Sequence, residues 1–344
     1  MRTVDLRSDT LTKPTKAMRE AMFKAEVGDD VFNEDPTIQE LQNYIATETG
    51  METAMFVSSG TQGNQISINA HTQPGQEILL DKNSHIVFYE SGAPSMLAGV
   101  QVNPLDGTHG VITVEQLKHA IRPTDDHYPQ TGMICLENTH NRAGGTIYPL
   151  REIERISQFA KEQKLPLHLD GARLWNACIA AGISLKEYCQ HFDSVSLCFS
   201  KGLGAPVGSI VAGSKRFMKR AHFYRKAYGG GMRQAGILAA AALHALEHHL
   251  PILNEDHRRA RFIAEELDTL NGLSVDLSAV QTNIVIFEVD PKHYTTDYII
   301  KQMAERGVHM FAFGPTRVRL VLHLDISDDD IAYAVEQFKL LTTS

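Results

Sequence analysis

Three short stretches of this 344-residue sequence combine residue types that do chemistry. In SLCFSKGLGAPVGS (196–209) an apolar run ends in one lysine, Lys201, followed at once by Gly202, Leu203 and Gly204. Lysine is rarely fully buried, so Lys201 either leans out to solvent or is bonded to something. In a desolvated pocket at a strand end, a lysine amine has a lowered pKa and attacks carbonyl carbon. In HLDGAR (168–173) Asp170 closes a second apolar run, Gly171 and Ala172 leave room beside it, and Arg173 follows. Such a carboxylate can bind a metal, cap a helix or hold a protonated ring nitrogen. No HExxH and no cluster of carboxylates accompanies it, so no metal is expected. In SSGTQGN (58–64) a strand gives way to a helix at a Gly-Thr pair. The free N–H groups and hydroxyls of Ser59, Gly60 and Thr61 suit an anion; Ser59 or Thr61 equally suits a plain helix cap. The usual nucleotide loops, GxxxxGK[ST] and a strand-borne GxGxxG, are absent. Taken together, a phosphate site, an acidic partner for a ring nitrogen and an amine for a Schiff base are the three handles that hold pyridoxal 5'-phosphate (PLP).

The elements that must carry these groups follow from the apolar pattern. AMFVSSG (54–60), EILLDK (77–82), GMICLEN (132–138), LPLHLDG (165–171) and VSLCFSK (195–201) read as strands, each ending in Gly, Asp, Asn or Lys. Segments such as LREIERISQFAKEQK (150–164) alternate with them and have apolar residues at three-to-four spacing. Strand–helix alternation predicts an α/β fold with a mostly parallel sheet, which binds ligands at the carboxyl ends of its strands. After His249 the pattern changes: a helix near 253–271, a strand in TNIVIFEV (282–289), a helix near 296–306, a strand in VRLVLHLD (318–325) and a terminal helix. Residues 1–249, with an N-terminal arm, are therefore expected to form the large domain and 250–344 a smaller α+β domain. A net charge of −8 argues against a nucleic-acid partner. The longest apolar helix, AGILAAAALHAL (235–246), is too short to span a bilayer. MRTVDLRSDT has no signal-peptide pattern, and the four cysteines have no CxxC or zinc spacing, so a cytoplasmic protein is expected.

The motifs extend beyond these three. DLRSDTLTKPT (5–15), VGDDVFNEDPT (27–37), SSGTQGN, ENTHN (137–141), HLDGARLWNA, SKGLGAPVGS, GGGMRQAG (229–236) and VRLVLHLDIS (318–327) together make the chain resemble the low-specificity L-threonine aldolases, PLP enzymes with an aspartate-aminotransferase-like fold. The resemblance covers nearly the whole chain. It implies that Lys201 forms the internal aldimine and that Asp170 pairs with the pyridinium nitrogen. Gly60 and Thr61, beside Ser59, would hold the phosphate, and His85 would stack on the ring. Arg173 would contact the ring 3-oxygen or the substrate carboxylate. Arg319 would clamp that carboxylate with help from Ser8, although Arg317 shares its face of the strand. Arg233 would approach the phosphate from a neighbouring subunit.

The resemblance further implies retro-aldol cleavage of L-threonine and L-allo-threonine to glycine and acetaldehyde, through an external aldimine. His85 and His127 are the two candidates for the base that takes the β-hydroxyl proton. Glu90 would orient water or substrate, and Tyr89 would shape the aldehyde pocket. The alternatives are another PLP enzyme on the same fold, such as a β-eliminating lyase, and a binding protein, which would need Lys201 or Asp170 to be lost. A homotetramer with shared active sites and no membrane partner completes the expectation.

Overall fold

The computed structural model describes residues 2–342; Met1 at the start of the arm and residues 343 and 344 of the expected small domain lie outside the described residues. The strands are β1 (Val4–Asp5), β2 (Thr53–Val57), β3 (Glu77–Asp81), β4 (Gln101–Leu105), β5 (Thr131–Glu137), β6 (Leu167–Gly171), β7 (Ser194–Cys198) and β8 (Ser209–Gly213), then β9 (Leu273–Val275), β10 (Ile284–Val289), β11 (Val308–His309), β12 (Phe311–Ala312) and β13 (Arg317–Val321). Seven of them form one sheet in the order β2-β8-β7-β6-β5-β3-β4. Every neighbouring pair in it is parallel except those of β8, which runs against both β2 and β7. The structure thus has the mostly parallel α/β sheet expected. β3, β6, β7 and β8 are buried along their whole length, as strands covered on both faces by helices must be.

Local signals place the helices around this sheet. α1 (Lys16–Lys24) is capped by the Thr15 hydroxyl. α2 (Pro36–Thr49) has Asp35 as its cap, proline in its first turn and Gly50 at φ +67° just past its end. α3 (Gly60–His71) starts directly after β2, with Ser59 capping Gln62 N–H. α4 (His85–Phe88) is a single turn after β3. The VGDDVFNEDPT stretch is a clasp: Asp35 accepts the Gly236 N–H at 2.8 Å, and Asp30 pairs with Arg225 at 2.9 Å.

A four-stranded antiparallel sheet, β12-β13-β10-β9, carries the chain's last third, and β1 pairs with β11. Two cores result. One runs from Met18 to Leu253 around the large sheet; the other joins Val4 and Leu6 to residues between Ala260 and Leu341. Helix Ile252–Asp268 touches both, with Leu253 in the first core and Ala260, Ile263, Ala264 and Leu267 in the second. Among the described residues no single helix is long and apolar enough to cross a membrane; helices Gly236–His248 and Ile252–Asp268 pass jointly by composition but are bent by 69°.

The strand in VRLVLHLD is shorter than the sequence predicts, ending at Val321. Beyond it His323 Nε2 bonds the Asp5 carbonyl at 2.8 Å and Asp325 accepts the Lys13 N–H at 3.2 Å, so this segment serves the N-terminal arm instead of the sheet.

Candidate active site

The carboxyl ends of the parallel strands carry one polar group each: Asp81 on β3, Glu137 on β5, Asp170 on β6 and, beyond β7, Lys201. Gly204, at φ +78°, turns the chain back after β7 and its N–H donates to the Lys201 carbonyl at 2.8 Å. The Lys201 carbonyl is also held by the Thr12 hydroxyl at 3.1 Å. Its ammonium has neither a hydrogen-bond nor an ion-pair partner among the described residues.

Asp170 is buried, 3% exposed, and both oxygens are fixed. Oδ1 accepts the Ala172 N–H at 3.1 Å, and Oδ2 accepts Asn64 Nδ2–H at 2.8 Å. The second proton of that amide goes to Glu90 Oε1, also at 2.8 Å, and Glu90 Oε2 accepts from Gln65 at 2.6 Å. His85 Nδ1 lies 2.8 Å from Glu90 Oε1. Burial disfavours the imidazolium, but the Glu90 hydrogen bond and the Asp170 and Glu90 charges outweigh it, so the His85 pKa is raised. Glu137 fixes two loops at once: Oε2 accepts the His85 N–H at 2.7 Å and Oε1 the Asn141 N–H at 2.9 Å.

At the phosphate-like end, the Gly60 and Thr61 N–H groups open α3 and have no acceptor among the described residues. Ser59 is exposed and its hydroxyl accepts Gln62 N–H at 3.1 Å, so the capping role is realised there.

The two arginines of the opposite wall differ. Arg173 is buried and its fork closes on Asp9, Nε to Oδ2 and Nη2 to Oδ1, both 2.7 Å. Burial pushes the Asp9 carboxyl up, but the charge and hydrogen bonds of Arg173 hold it down at about 2. Asn283 adds a bond to Asp9 at 3.2 Å. Arg319 has no carboxylate partner: Nη1 donates to Asn141 Oδ1 at 2.8 Å and Nη2 to the Arg7 carbonyl at 3.3 Å, while Nε is buried and unbonded. Burial, together with the nearby Arg173 charge, pushes its pKa down to about 10. Arg317, two residues earlier, pairs with Glu288 at 3.2 Å and lines a separate cavity of about 310 Å³ with Arg142 and His140.

The remaining expected residues fall in four places. Ser8 stands in the arm next to Arg7, its hydroxyl capping Thr10 N–H at 3.2 Å. Tyr89 lies against the His85 ring, 5.5 Å between centroids, and its hydroxyl accepts from Arg142 at 2.8 Å. Arg233 is half-exposed, pairs with Asp29 at 2.9 Å and covers Phe32. His127 is not brought to this cluster within the chain; its side chain is 88% exposed, on a loop where it bonds Asp125 at 2.6 Å. Asn64, Glu137, Asn141, Asp9 and Asn283 are not among the residues the sequence singles out, although all but Asn283 lie inside motifs that it does.

A family model for the beta-eliminating lyases matches residues 5–290, and the chain belongs to that family. Within it, the relatives are more particular. Low-specificity L-threonine aldolase 1 of Arabidopsis thaliana is 43% identical over 344 residues, covering 98% of this chain and 96% of that protein. Low specificity L-threonine aldolase of Escherichia coli K12 is 40% identical over 330 residues, covering 96% of each. The backbone of Leishmania major threonine aldolase superposes with a TM-score of 0.86 at 19% identity, over 98% of this chain and 99% of that one. An aspartate aminotransferase variant from Thermus thermophilus gives 0.74 at 16% identity, over 98% and 91%. These last two establish the fold, and it is the PLP-enzyme fold that the motifs implied.

Proposed function

We propose that this protein is a low-specificity L-threonine aldolase that uses PLP to cleave L-threonine and L-allo-threonine to glycine and acetaldehyde. The observation that carries the reading is a pair of unsatisfied cations at one end of the sheet. The Lys201 ammonium has no partner and the Arg319 guanidinium has no counter-ion, while Asp170 nearby is buried and fixed. A fold keeps such groups desolvated where a ligand completes them.

The residues fit the cofactor. Lys201 would bond its aldehyde carbon and Asp170 its ring nitrogen. The Gly60 and Thr61 N–H groups, with the Ser59 and Thr61 hydroxyls, would take its phosphate at the start of α3. His85 would cover its ring, and Arg233 would reach the phosphate from a neighbouring subunit. When bound, PLP supplies an electron sink for the pair left on the substrate Cα after the Cα–Cβ bond breaks. Arg319 offers a planar fork to the substrate carboxylate, steadied by Asn141 and the Arg7 carbonyl, with Ser8 beside it. That grip would fix the rotation of the substrate about its Cα–N bond and so select which Cα bond breaks. Arg173, committed to Asp9, sets the electrostatic floor beneath it. His85, with Nδ1–H donating to Glu90, keeps Nε2 free to take the β-hydroxyl proton, and that hydrogen bond favours the imidazolium so formed. His127 can take part only if its loop meets the site of another copy. Tyr89 and Arg142 border the space for the departing aldehyde.

We also infer a homotetramer with shared sites, supported by the exposure of Gly229 and Arg233 at the two ends of their loop and by the exposed Phe32 against Arg233. Four unpaired cysteines support a cytoplasmic setting. The experiment is aldehyde release from L-threonine, L-allo-threonine and D-threonine with PLP present. Release from both L-isomers and its loss in Lys201→Ala are expected. No aldehyde from either L-isomer, or pyruvate and ammonia from serine without any glycine from threonine, overturns the reading in favour of a β-eliminating lyase.

A further inference from the structure

Two carboxylates, Asp170 and Glu90, stand side by side in the buried floor of the site, with the His85 ring beside them; one oxygen of each and one ring nitrogen lie within 4.8 Å of one another. Like charges this close normally share a proton. We propose that Asn64 is a positioning residue that keeps both carboxylates ionised, and that a line of hydrogen bonds through His168, Ser194 and His71 fixes the orientation of its amide. The proposal deepens the reading above, since it rests on Asp170 being the partner of the cofactor ring nitrogen.

The protons along the line have a single consistent placement. Asn64 Nδ2 has two, donated to Asp170 Oδ2 and Glu90 Oε1. Oδ1 therefore points the other way, at His168 Nε2, 3.2 Å off, and that nitrogen must carry a proton. Burial pushes the His168 pKa down to about 4, so the ring is neutral and Nδ1 is bare. Nδ1 accepts from Ser194 Oγ at 2.8 Å. The serine hydroxyl has only that one proton, so its oxygen accepts from His71 Nε2–H, also 2.8 Å away. His71 is neutral too, pushed down to about 3 by burial. Turning the amide over would set Oδ1 against two carboxylates and Nδ2 against a ring N–H. The line thus aims a dipole at two anions, the task a cation would otherwise perform there.

Removing the amide leaves the two carboxylates to settle their repulsion by taking up a proton. Other groups that act on the pair remain in place: His85 from α4, His168 on β6, Cys135 on β5 and His140 after it, with Lys201 acting on His85. Gln65 still donates to Glu90 Oε2. Protonation therefore falls on the oxygens that faced Asn64, and Asp170 loses part of its hold on the ring nitrogen.

The test titrates PLP into wild-type, Asn64→Leu and Asn64→Ser protein and then follows the absorbance of the loaded forms against pH. Asn64→Leu should weaken PLP binding about tenfold and move the midpoint of the absorbance titration by about one pH unit, the equivalence set by one pKa unit. Asn64→Ser keeps one donor for two carboxylates and should move both in the same direction by less; it also keeps the question answerable if the leucine variant does not fold. A lowered melting temperature with affinity and midpoint unchanged would mean that Asn64 is merely structural and would overturn the proposal. Both readouts are taken on the cofactor. Wild-type protein that binds PLP but releases no aldehyde would count against the aldolase reading alone.

Discussion

Arg319 and Arg173 sit on the same wall, yet only one of them is neutralised. Arg173 spends its fork on Asp9, whereas Arg319 is left with an amide oxygen and a carbonyl. A charge-assisted pair with a substrate carboxylate is worth about 1.5–3 kcal/mol, so Arg319→Ala should lower kcat/KM about 10- to 100-fold, mostly through KM, in steady-state assays on L-threonine. Asp9→Asn does something different. It leaves a buried guanidinium without its counter-ion, which costs about 3–5 kcal/mol and should appear as a lowered urea midpoint at neutral pH. The Asp9 carboxyl falls to about 2 from the ordinary 3.8 despite burial, because of Arg173. Its contribution is therefore complete above pH 3.8 and fades as the pH drops through about 2, and the variant should lack that acid limb. At this scale the sequence revealed residues that end apolar runs, Lys201 and Asp170, because a polar group at a strand end breaks a pattern. It did not reveal Asn64 or Asp9, whose partners lie 106 and 164 positions away. Nothing local distinguishes an asparagine in a capped helix from one aimed at two carboxylates.

β13 shows how an element settles what spacing left open. Arg317 and Arg319 share a face of the strand, and β10 beside it offers Glu288 opposite Arg317 and Ile286 opposite Arg319. The first arginine finds a carboxylate in its neighbour; the second finds none. The buried parallel strands were legible as unbroken apolar runs. β4 was not, since its QVNPL is mostly exposed or half-exposed at the sheet edge. Helix Ile252–Asp268 was legible as a helix, but not as the link between two cores. Its Asp256 is fully buried and neither oxygen has a hydrogen-bond partner. Burial pushes that carboxyl up to about 7 against the weaker pull of Arg259. A raised carboxyl pKa favours folding below the unfolded value and the benefit disappears as pH rises through about 7. Asp256→Asn should therefore raise stability less at pH 5 than at pH 8.5, by a difference of about 1–3 kcal/mol, since the penalty on the aspartate accrues from pH 3.8 up to about 7. Equal effects at both pH values in urea melts would show that Asp256 is not protonated in the folded chain.

For the whole molecule, two features go beyond any single element. Phe23, Phe32 and Phe223 are 87, 70 and 69% exposed, a large apolar allowance for a chain of net charge −8. If they meet other copies in the proposed tetramer, Phe32→Ser with Phe223→Ser should lower the sedimenting mass and release PLP; an unchanged tetramer would place the interface elsewhere. The second feature is the distribution of neutral imidazoles. Burial pushes His71 down to about 3, and His168 and His257 to about 4. Their neutrality is built into their bonds: His168 accepts from Ser194, and His257 Nε2 lies 3.1 Å from the Asn176 amide nitrogen, which can only donate. In the unfolded chain each titrates near 6.5. A depressed folded pKa means that the stabilisation is complete above 6.5 and is lost progressively as the pH falls towards 4. Asp256 works against this trend with one proton of its own, bound by the folded state between 7 and 3.8. Across these four groups the unfolded chain binds about two more protons than the folded one near pH 5, a contribution of about 3 kcal/mol lost per pH unit. Urea melts of the loaded protein between pH 6.5 and 4.5 should show that slope, and His257→Gln, which keeps an acceptor for Asn176 outside the active site, should reduce it by about half. A flat profile across this window would mean that the buried imidazoles charge as readily in the fold as in water.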